Sequence, residues 1–109
     1  MFEIKFRGEK SDLEKLKNII NDGFKEALND LSKYVDTNQV KINNEFIIDN
    51  NLMIYRTNFF DVVNEAIKKT YKNRILSFFV GKFIDNAKKG YIEKIKKVIK
   101  ENKLNVEII

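Results

Sequence analysis

The chain has 109 residues, of which 43% are hydrophobic and 34% charged, and its formal net charge at pH 7 is +5. This composition is typical of a globular domain that can bury a core, and it excludes an intrinsically disordered chain. The sequence contains neither cysteine nor histidine, which excludes disulfides, thiol catalysis and histidine-dependent metal or proton-transfer sites.

The sequence also bears on location and cofactors. A chain without cysteine favours a reducing, cytoplasmic setting. The first ten residues mix acids with bases, so they do not form a signal peptide. The longest apolar run, ILSFFVGKFI at residues 75–84, is about half the length of a membrane-spanning helix. We therefore expect a cytoplasmic protein with no membrane partner, and we predict no cofactor.

The first predicted elements are a strand and a helix. Residues 2–7 alternate between apolar and charged side chains, which predicts a half-buried strand. Ser11 and Glu14 have the spacing of a capping box, which predicts the start of a helix. Apolar residues then recur at helical spacing, at Leu13, Leu16, Ile20, Phe24, Ala27, Leu28, Leu31 and Val35. Gly23 lies inside this helix, where a close approach to a neighbouring backbone would explain it.

Residues 39–57 have the composition of strands. The favoured reading is a long hairpin, with one strand at 39–48, a turn at 49–51 and a second strand at 52–57. In that reading Val40, Ile42, Phe46 and Ile48 share one face. The alternative places an additional tight turn at Asn43-Asn44, because asparagine tolerates positive φ.

Helices are predicted next. Thr57 or Asn58 is expected to cap a helix whose apolar stripe includes Phe60, Val63 and Ile67. The spacing continues to residue 88, so residues 59–88 form either one long helix or two helices joined near residues 72–74. Gly90 is expected to separate a further helix that ends near residue 102. The tail 104–109 alternates and predicts a closing strand paired with the first.

The predicted order is β-α-β-β-α-α-β, an α+β fold in one domain over residues 1–109. We expect a mainly antiparallel sheet with its helices on one face. A ferredoxin-like βαββαβ sandwich with an extra helix is the nearest simple architecture.

Positive charge concentrates in the second half of the chain. Residues 58–109 contain twelve bases and six acids, whereas residues 1–57 contain nine bases and ten acids. The leading hypothesis is a non-catalytic module whose basic C-terminal helices dock on nucleic acid or a nucleoprotein. Only three arginines are present, so binding would not depend on base sequence. The expected contacts are Lys68, Lys72, Arg74, Lys89, Lys94, Lys96, Lys97, Lys100 and Lys103.

The alternative is that these lysines form a solvated surface without a binding function. Lysine, asparagine and isoleucine are all abundant and have A/T-rich codons, so genome composition would account for the lysines.

A second hypothesis uses the apolar segment instead of the charge. Ile75, Phe78, Phe79 and Phe83 would form an interface with a protein partner or a second copy of the chain. The protein would then be an inhibitor or adaptor of the kind that phages and other mobile elements encode.

Catalysis has weak sequence support. Asp61 and Glu65 have the i, i+4 spacing at which two carboxylates share a divalent ion, but surface charge explains them better. Tyr55 beside Arg56 is the only strand pair that suggests base stacking, and packing is again the better explanation. No glycine-rich phosphate loop is present in the sequence.

Overall fold

The computed structural model describes residues 1–33, 41–70 and 74–109, without the side chains of Leu31, residues 66–70 and residues 74–80. Its elements follow the predicted order, which confirms the α+β fold. The strands are β1 Phe2–Gly8, β2 Asn44–Asp49, β3 Leu52–Thr57 and β4 Val106–Ile108. The helices are α1 Lys10–Leu31, α2 Phe59–Thr70 and α3 Arg74–Glu101.

The four strands form one antiparallel sheet in the order β2-β3-β1-β4. β1 is a central strand, because Phe6 lies opposite Met53 on β3 and opposite Ile108 on β4. This order is the split β-α-β arrangement of ferredoxin-like folds, with two helices instead of one in the second crossover. The predicted pairing of the tail with the first strand is confirmed.

The core lies between one face of the sheet and two helices. From β1, Ile4 and Phe6 are buried, as their alternation with charged residues predicts. Leu13, Leu16 and Ile20 of α1 and Ile95 of α3 pack against them. Both helices therefore cover the same face of the sheet, and no helix among the described residues covers the other face.

α1 begins earlier than the sequence pattern predicts. The helix starts at Lys10, and the Leu13 amide donates to the Glu9 carbonyl at 2.9 Å. Glu9 is the N-cap and makes no side-chain cap bond, so the predicted capping box at Ser11 and Glu14 is wrong. The physical reason is the connection from β1, which leaves only Glu9 between strand and helix and places Ser11 inside the first turn.

The predicted hairpin is confirmed, but its first strand is shorter than the predicted 39–48, because residues 41–43 are outside any strand and β2 begins at Asn44. Asp49 pairs with Leu52, so Asn50 and Asn51 form a two-residue loop. Asn50 has a φ of 54°, which asparagine tolerates better than most residues. The alternative turn at Asn43-Asn44 is wrong, because Asn44 is already paired in β2. Val35 and Val40 lie outside the described residues.

α2 begins where the sequence predicts. The Phe59 amide donates to Thr57 Oγ1 at 3.1 Å, and the Val62 amide donates to the Asn58 carbonyl. The Asn58 side chain instead bonds the backbone of Lys41 and Asn43, at 3.0 and 2.8 Å. It thereby ties the chain before β2 to the start of α2.

α2 and α3 are separate helices, and α3 continues through Gly90. The expected punctuation at Gly90 is therefore wrong. A glycine inside a helix costs only about 1 kcal/mol relative to alanine, and Ile84, Ala87, Tyr91 and Ile95 keep one continuous inner face across it. At 28 residues α3 is about 42 Å long, close to the 46 Å length of the molecule.

The end of α3 is a Schellman motif. Lys103 has a φ of 53°, its amide donates to the Lys100 carbonyl, and the Leu104 amide donates to the Ile99 carbonyl. Leu104 packs against the core beside Ile99. This reversal turns the chain into β4. Within the described residues, no helix has the length and apolarity that crossing a bilayer requires.

Candidate functional site

The C-terminal half of α3 presents lysines to solvent while its inner face packs on the sheet. Tyr91, Ile92, Ile95, Val98 and Ile99 belong to the core or pack against it. The six lysines predicted in this part of the chain are all exposed: Lys89, Lys94, Lys96, Lys97, Lys100 and Lys103. The sequence prediction that they lie on the solvent side of the helix is therefore confirmed.

Four of these residues form what we call the lysine face: Lys89, Lys96, Lys100 and Lys103. Separations of seven and four residues bring Lys89, Lys96 and Lys100 to one side of α3, and Lys103 follows in the turn that ends the helix. Lys89 and Lys100 lie about 16 Å apart along the helix axis. Lys94 lies elsewhere, because it lines a cavity between α1 and α3.

Two of these six lysines form ion pairs. Lys96 Nζ lies 3.3 Å from Glu93 Oε1, and Lys97 Nζ lies 3.8 Å from Glu101 Oε1. Among the described residues, no carboxylate oxygen lies within 4.0 Å of Nζ of Lys89, Lys94, Lys100 or Lys103. Exposed pairs of this kind contribute at most about 1 kcal/mol, so the two paired lysines also remain available to an anion.

The other predicted basic contacts cannot be placed beside this face. Lys68 is in α2 and Arg74 begins α3, but their side chains are not described, and Lys72 lies outside the described residues. The side chains of Ile75, Phe78 and Phe79 are not described either. From the predicted protein interface, only Phe83 is placed, and its side chain is 62% exposed.

Phe83 borders a feature that we call the apolar groove. This groove has a volume of about 350 Å³ and lies between the C-terminal part of α1, the start of α2 and the middle of α3. Apart from Asp30, the described residues that line it are apolar: Ala27, Phe59, Phe60, Val63, Phe83, Ile84 and Ala87. Sequence reasoning found Phe83 but not the groove, because residues distant in the chain form it.

A second cavity, the α1–α3 cavity, adjoins the groove and has a volume of about 250 Å³. Aromatic side chains form its walls, and Lys94 is the one charged residue among the described residues that line it. Sequence reasoning missed this cavity. The available signal was the small residues in the two helices, Gly23 and Ala27 on α1 and Ala87 and Gly90 on α3, whose spatial proximity the sequence does not reveal.

Tyr55, which is buried, and Tyr91, which is half-buried, both line this cavity. Their hydroxyls lie near each other, and the Thr57 hydroxyl lies near that of Tyr55. Tyr55 donates to Asn44 Oδ1 at 3.3 Å. Burial raises the pKa of both tyrosine hydroxyls above the ordinary value, so both stay neutral at physiological pH.

The sheet face opposite the helices is not predominantly basic. Arg56 Nε lies 2.7 Å from Glu3 Oε2, Lys5 is 3.9 Å from Glu3, and Arg7 is 3.5 Å from Glu107. Tyr55 is 1% exposed and stacks on Phe46 with a ring separation of 4.8 Å. Tyr55 and Arg56 therefore point to opposite faces, and packing explains the tyrosine.

The predicted carboxylate pair is not assembled into a metal centre. The Asp61 carboxylate lies 3.4 Å from the amino group of Met1, and Glu65 is exposed. In the part of the chain that the structure describes, no three acidic side chains come together in a way that could hold a metal ion.

Comparisons with known proteins give no family for this arrangement. No protein-family model, no curated protein and no solved structure matches the chain.

Proposed function

We propose that this chain is a cytoplasmic, non-catalytic binding module that docks on a polyanion through α3. The partner is nucleic acid or a nucleoprotein, and the lysine face supplies the attraction. The observation that carries the proposal is that Lys89 and Lys100 are exposed on one side of α3 and Lys103 is exposed just after its end, all without a carboxylate partner among the described residues. A positive row of this kind releases counterions when it neutralises phosphates.

The dimensions of the face support a partner with regularly spaced charge. The distance from Lys89 to Lys100 of about 16 Å matches the rise of roughly five base pairs along the axis of duplex DNA. Because the inner side of α3 is packed in the core, these lysines are presented without any rearrangement of the fold.

The lysine face consists of lysines rather than arginines, which predicts only a weak preference for nucleotide sequence. Lysine is a flexible point charge, whereas arginine reads guanine through two parallel hydrogen bonds. Arg7 and Arg56 are paired with Glu107 and Glu3 on the opposite face of the sheet. The described part of the lysine face therefore contacts phosphates rather than bases.

The experiment compares two double variants that lower the net charge equally. Lys89→Gln/Lys100→Gln removes two charges from the lysine face, and Lys5→Gln/Arg7→Gln removes two from the sheet. Binding of labelled single-stranded DNA, duplex DNA and RNA is measured by fluorescence anisotropy between about 50 and 200 mM salt.

We expect the α3 variant to weaken binding and to reduce the salt slope by about two for a duplex. The sheet variant should keep the affinity and the salt slope of the parent protein, because the two charges that it lacks lie away from the partner. Thermal unfolding of both variants verifies that they fold. Equal weakening by the two variants would show that net charge, not the lysine face, drives binding. Absence of binding by the parent protein at the lowest salt would reject the proposal.

A second candidate function is an inhibitor or adaptor that acts through the apolar groove. The observation that favours it is Phe83, which is 62% exposed beside a groove with aromatic walls. A ring and a groove on the same surface are self-complementary, so the expected occupant is a second copy of this chain in a two-fold dimer.

Sedimentation velocity at increasing protein concentration tests this candidate. Phe83→Ser should shift the molecule toward the monomer, and the shift should be insensitive to salt because the contact is apolar. Met1→Ser is a control at another exposed apolar residue, made with an additional methionine as the start residue. A parent protein that stays monomeric at the highest concentration excludes the dimer.

A further inference from the structure

The α1–α3 cavity has the character of a small-ligand site. Phe24 from α1, Phe59 and Phe60 from α2, and Tyr91 from α3 contribute its aromatic walls. Its volume of about 250 Å³ corresponds to roughly eight water molecules. This volume is slightly below the usual range of drug-sized sites, so a ligand would have about ten heavy atoms.

Two glycines, which have no side chains, keep one wall of the cavity open. A Cβ atom placed on Gly23 or Gly90 would meet no other atom within 4 Å. Neither glycine is therefore required for close helix packing, although each costs about 0.5–1 kcal/mol relative to alanine inside a helix. Their effect is to leave space between α1 and α3 that side chains would otherwise occupy.

The charges around the cavity select the sign of a ligand. Of the described residues that line the cavity, Lys94 is the only charged one, and none is acidic. No carboxylate of the described residues lies within 4.0 Å of Lys94 Nζ. Burial raises the pKa of the Tyr55 and Tyr91 hydroxyls, so they stay neutral and supply no negative charge. An anionic group at the cavity would find one cation and no repelling carboxylate in the lining.

We propose that the α1–α3 cavity binds a small apolar carboxylate. The apolar body lies among Phe24, Phe60 and Tyr91, and the carboxylate pairs with Lys94. Apolar walls provide most of the affinity, and the single charge provides orientation, which is the usual division in small-molecule sites. This proposal does not depend on polyanion docking, because Lys94 lies outside the lysine face.

Octanoate is the probe, because its ten heavy atoms match the volume of the cavity. 1-Octanol is the neutral control with the same chain. Both are titrated into the ¹⁵N-labelled protein, and amide shifts are followed by NMR at concentrations where neither probe aggregates. We expect octanoate to shift the amides of Gly23, Ala87, Gly90 and Lys94. Octanol should shift the same amides but bind about threefold to fivefold more weakly, which is the scale of one exposed charge pair.

Two lysine variants separate the local charge from the overall charge. Lys94→Met should weaken octanoate binding to the level of octanol and leave octanol binding unchanged. Lys100→Met removes the same charge from the same helix outside the cavity, and it should leave both affinities unchanged. Equal weakening of octanoate by both variants would overturn the assignment of Lys94.

A filled cavity provides the second test. Gly23→Leu places a side chain where the present residue has none, so it should abolish binding of both probes while Gly23→Ala retains it. Circular dichroism verifies the fold, and Ala87→Leu replaces Gly23→Leu if the first variant does not fold. Unchanged octanoate binding in the folded, filled variant would overturn the proposal. Equal affinity of the parent for octanoate and octanol would overturn the carboxylate class.

Discussion

Gly8 lies at the tightest contact between β1 and the chain that enters β4. A Cβ atom at this position would lie 2.2 Å from the Asn105 carbonyl oxygen and 2.9 Å from the Val106 Cα. Both are backbone atoms, so they cannot move without shifting the strand. The Glu9 amide also donates to the Asn105 carbonyl, which fixes the carbonyl in place.

Gly8→Ala is therefore expected to destabilise the protein by roughly 1–3 kcal/mol, the usual cost of overpacking. The matched control is Gly23→Ala, which meets open space in a helix and should stabilise by about 0.5–1 kcal/mol. Urea unfolding measures both. Similar effects of the two substitutions would show that the Gly8 contact is not tight.

The paired tyrosines predict instability in alkali. Burial raises the pKa of Tyr55 and Tyr91 in the folded protein, whereas unfolded tyrosine titrates near about 10. Below that pH both states bind the proton and stability does not change. Above it the unfolded chain loses protons that the folded chain retains, so stability should fall by up to about 1.4 kcal/mol per pH unit for each tyrosine.

Urea unfolding between about pH 8 and pH 11 measures this slope. Tyr55→Phe and Tyr91→Phe should each make it shallower, because each removes one titrating hydroxyl. Since phenolate absorbs in the ultraviolet, titration of both residues in the folded protein near the ordinary pKa would contradict the prediction.

At the scale of elements, the continuity of α3 is the feature with the clearest test. Gly90 lies inside the helix without positive φ, and a Cβ atom there meets nothing within 4 Å. Gly90→Ala should therefore stabilise the protein by about 0.5–1 kcal/mol. If Gly90 instead ended a helix in the left-handed conformation, alanine would destabilise it. Urea unfolding and the Cα chemical shifts of residues 88–92 distinguish the two cases.

Whether a segment is a helix or a strand was predictable because the spacing of its apolar residues agrees with the residues that are buried along most of the chain. The alternation in β1 and the stripe of Leu13, Leu16 and Ile20 each face the core. Boundaries were less predictable where two local signals compete. Ser11 and Glu14 form a valid capping pattern, but the short connection after Gly8 starts the helix at Lys10. At Gly90, the continuous apolar face outweighs the cost of one glycine.

The candidate site was predictable only in part, for a related reason. The lysine face follows from helical spacing within one element, so Lys89, Lys96 and Lys100 could be grouped from the sequence. The α1–α3 cavity depends on how α1, α2 and α3 pack together. Gly23 and Gly90 are distant in the chain, and no local pattern relates them.

At the scale of the whole molecule, the sheet order sets the distribution of stability. β1 and β3 are central, whereas β2 and β4 are at the edges. Native-state hydrogen exchange should show the slowest amides in β1 at Ile4 and Phe6, which are buried and exchange only on global unfolding. The amides of β2 that do not bond β3 should exchange much faster. Equal protection of β2 and β1 would indicate that another segment covers that edge.

Charged residues are distributed unevenly over the surface of the molecule. The uncovered sheet face pairs Arg56, Lys5 and Arg7 with acidic partners, whereas the lysine face has few such partners among the described residues. The molecule therefore has one neutralised surface and one positive surface. A net charge of +5 understates the field that a polyanion approaching α3 would meet.

The central place of β1 has a consequence for how the chain is made. Residues 2–8 leave the ribosome long before their partners, Leu52–Thr57 and Val106–Ile108. Until Ile108 has emerged, one edge of β1 stays open to other chains. The nascent domain therefore passes most of the synthesis of these residues with its future centre unprotected, and slow translation of the lysine-rich segment before β4 would prolong its dependence on chaperones.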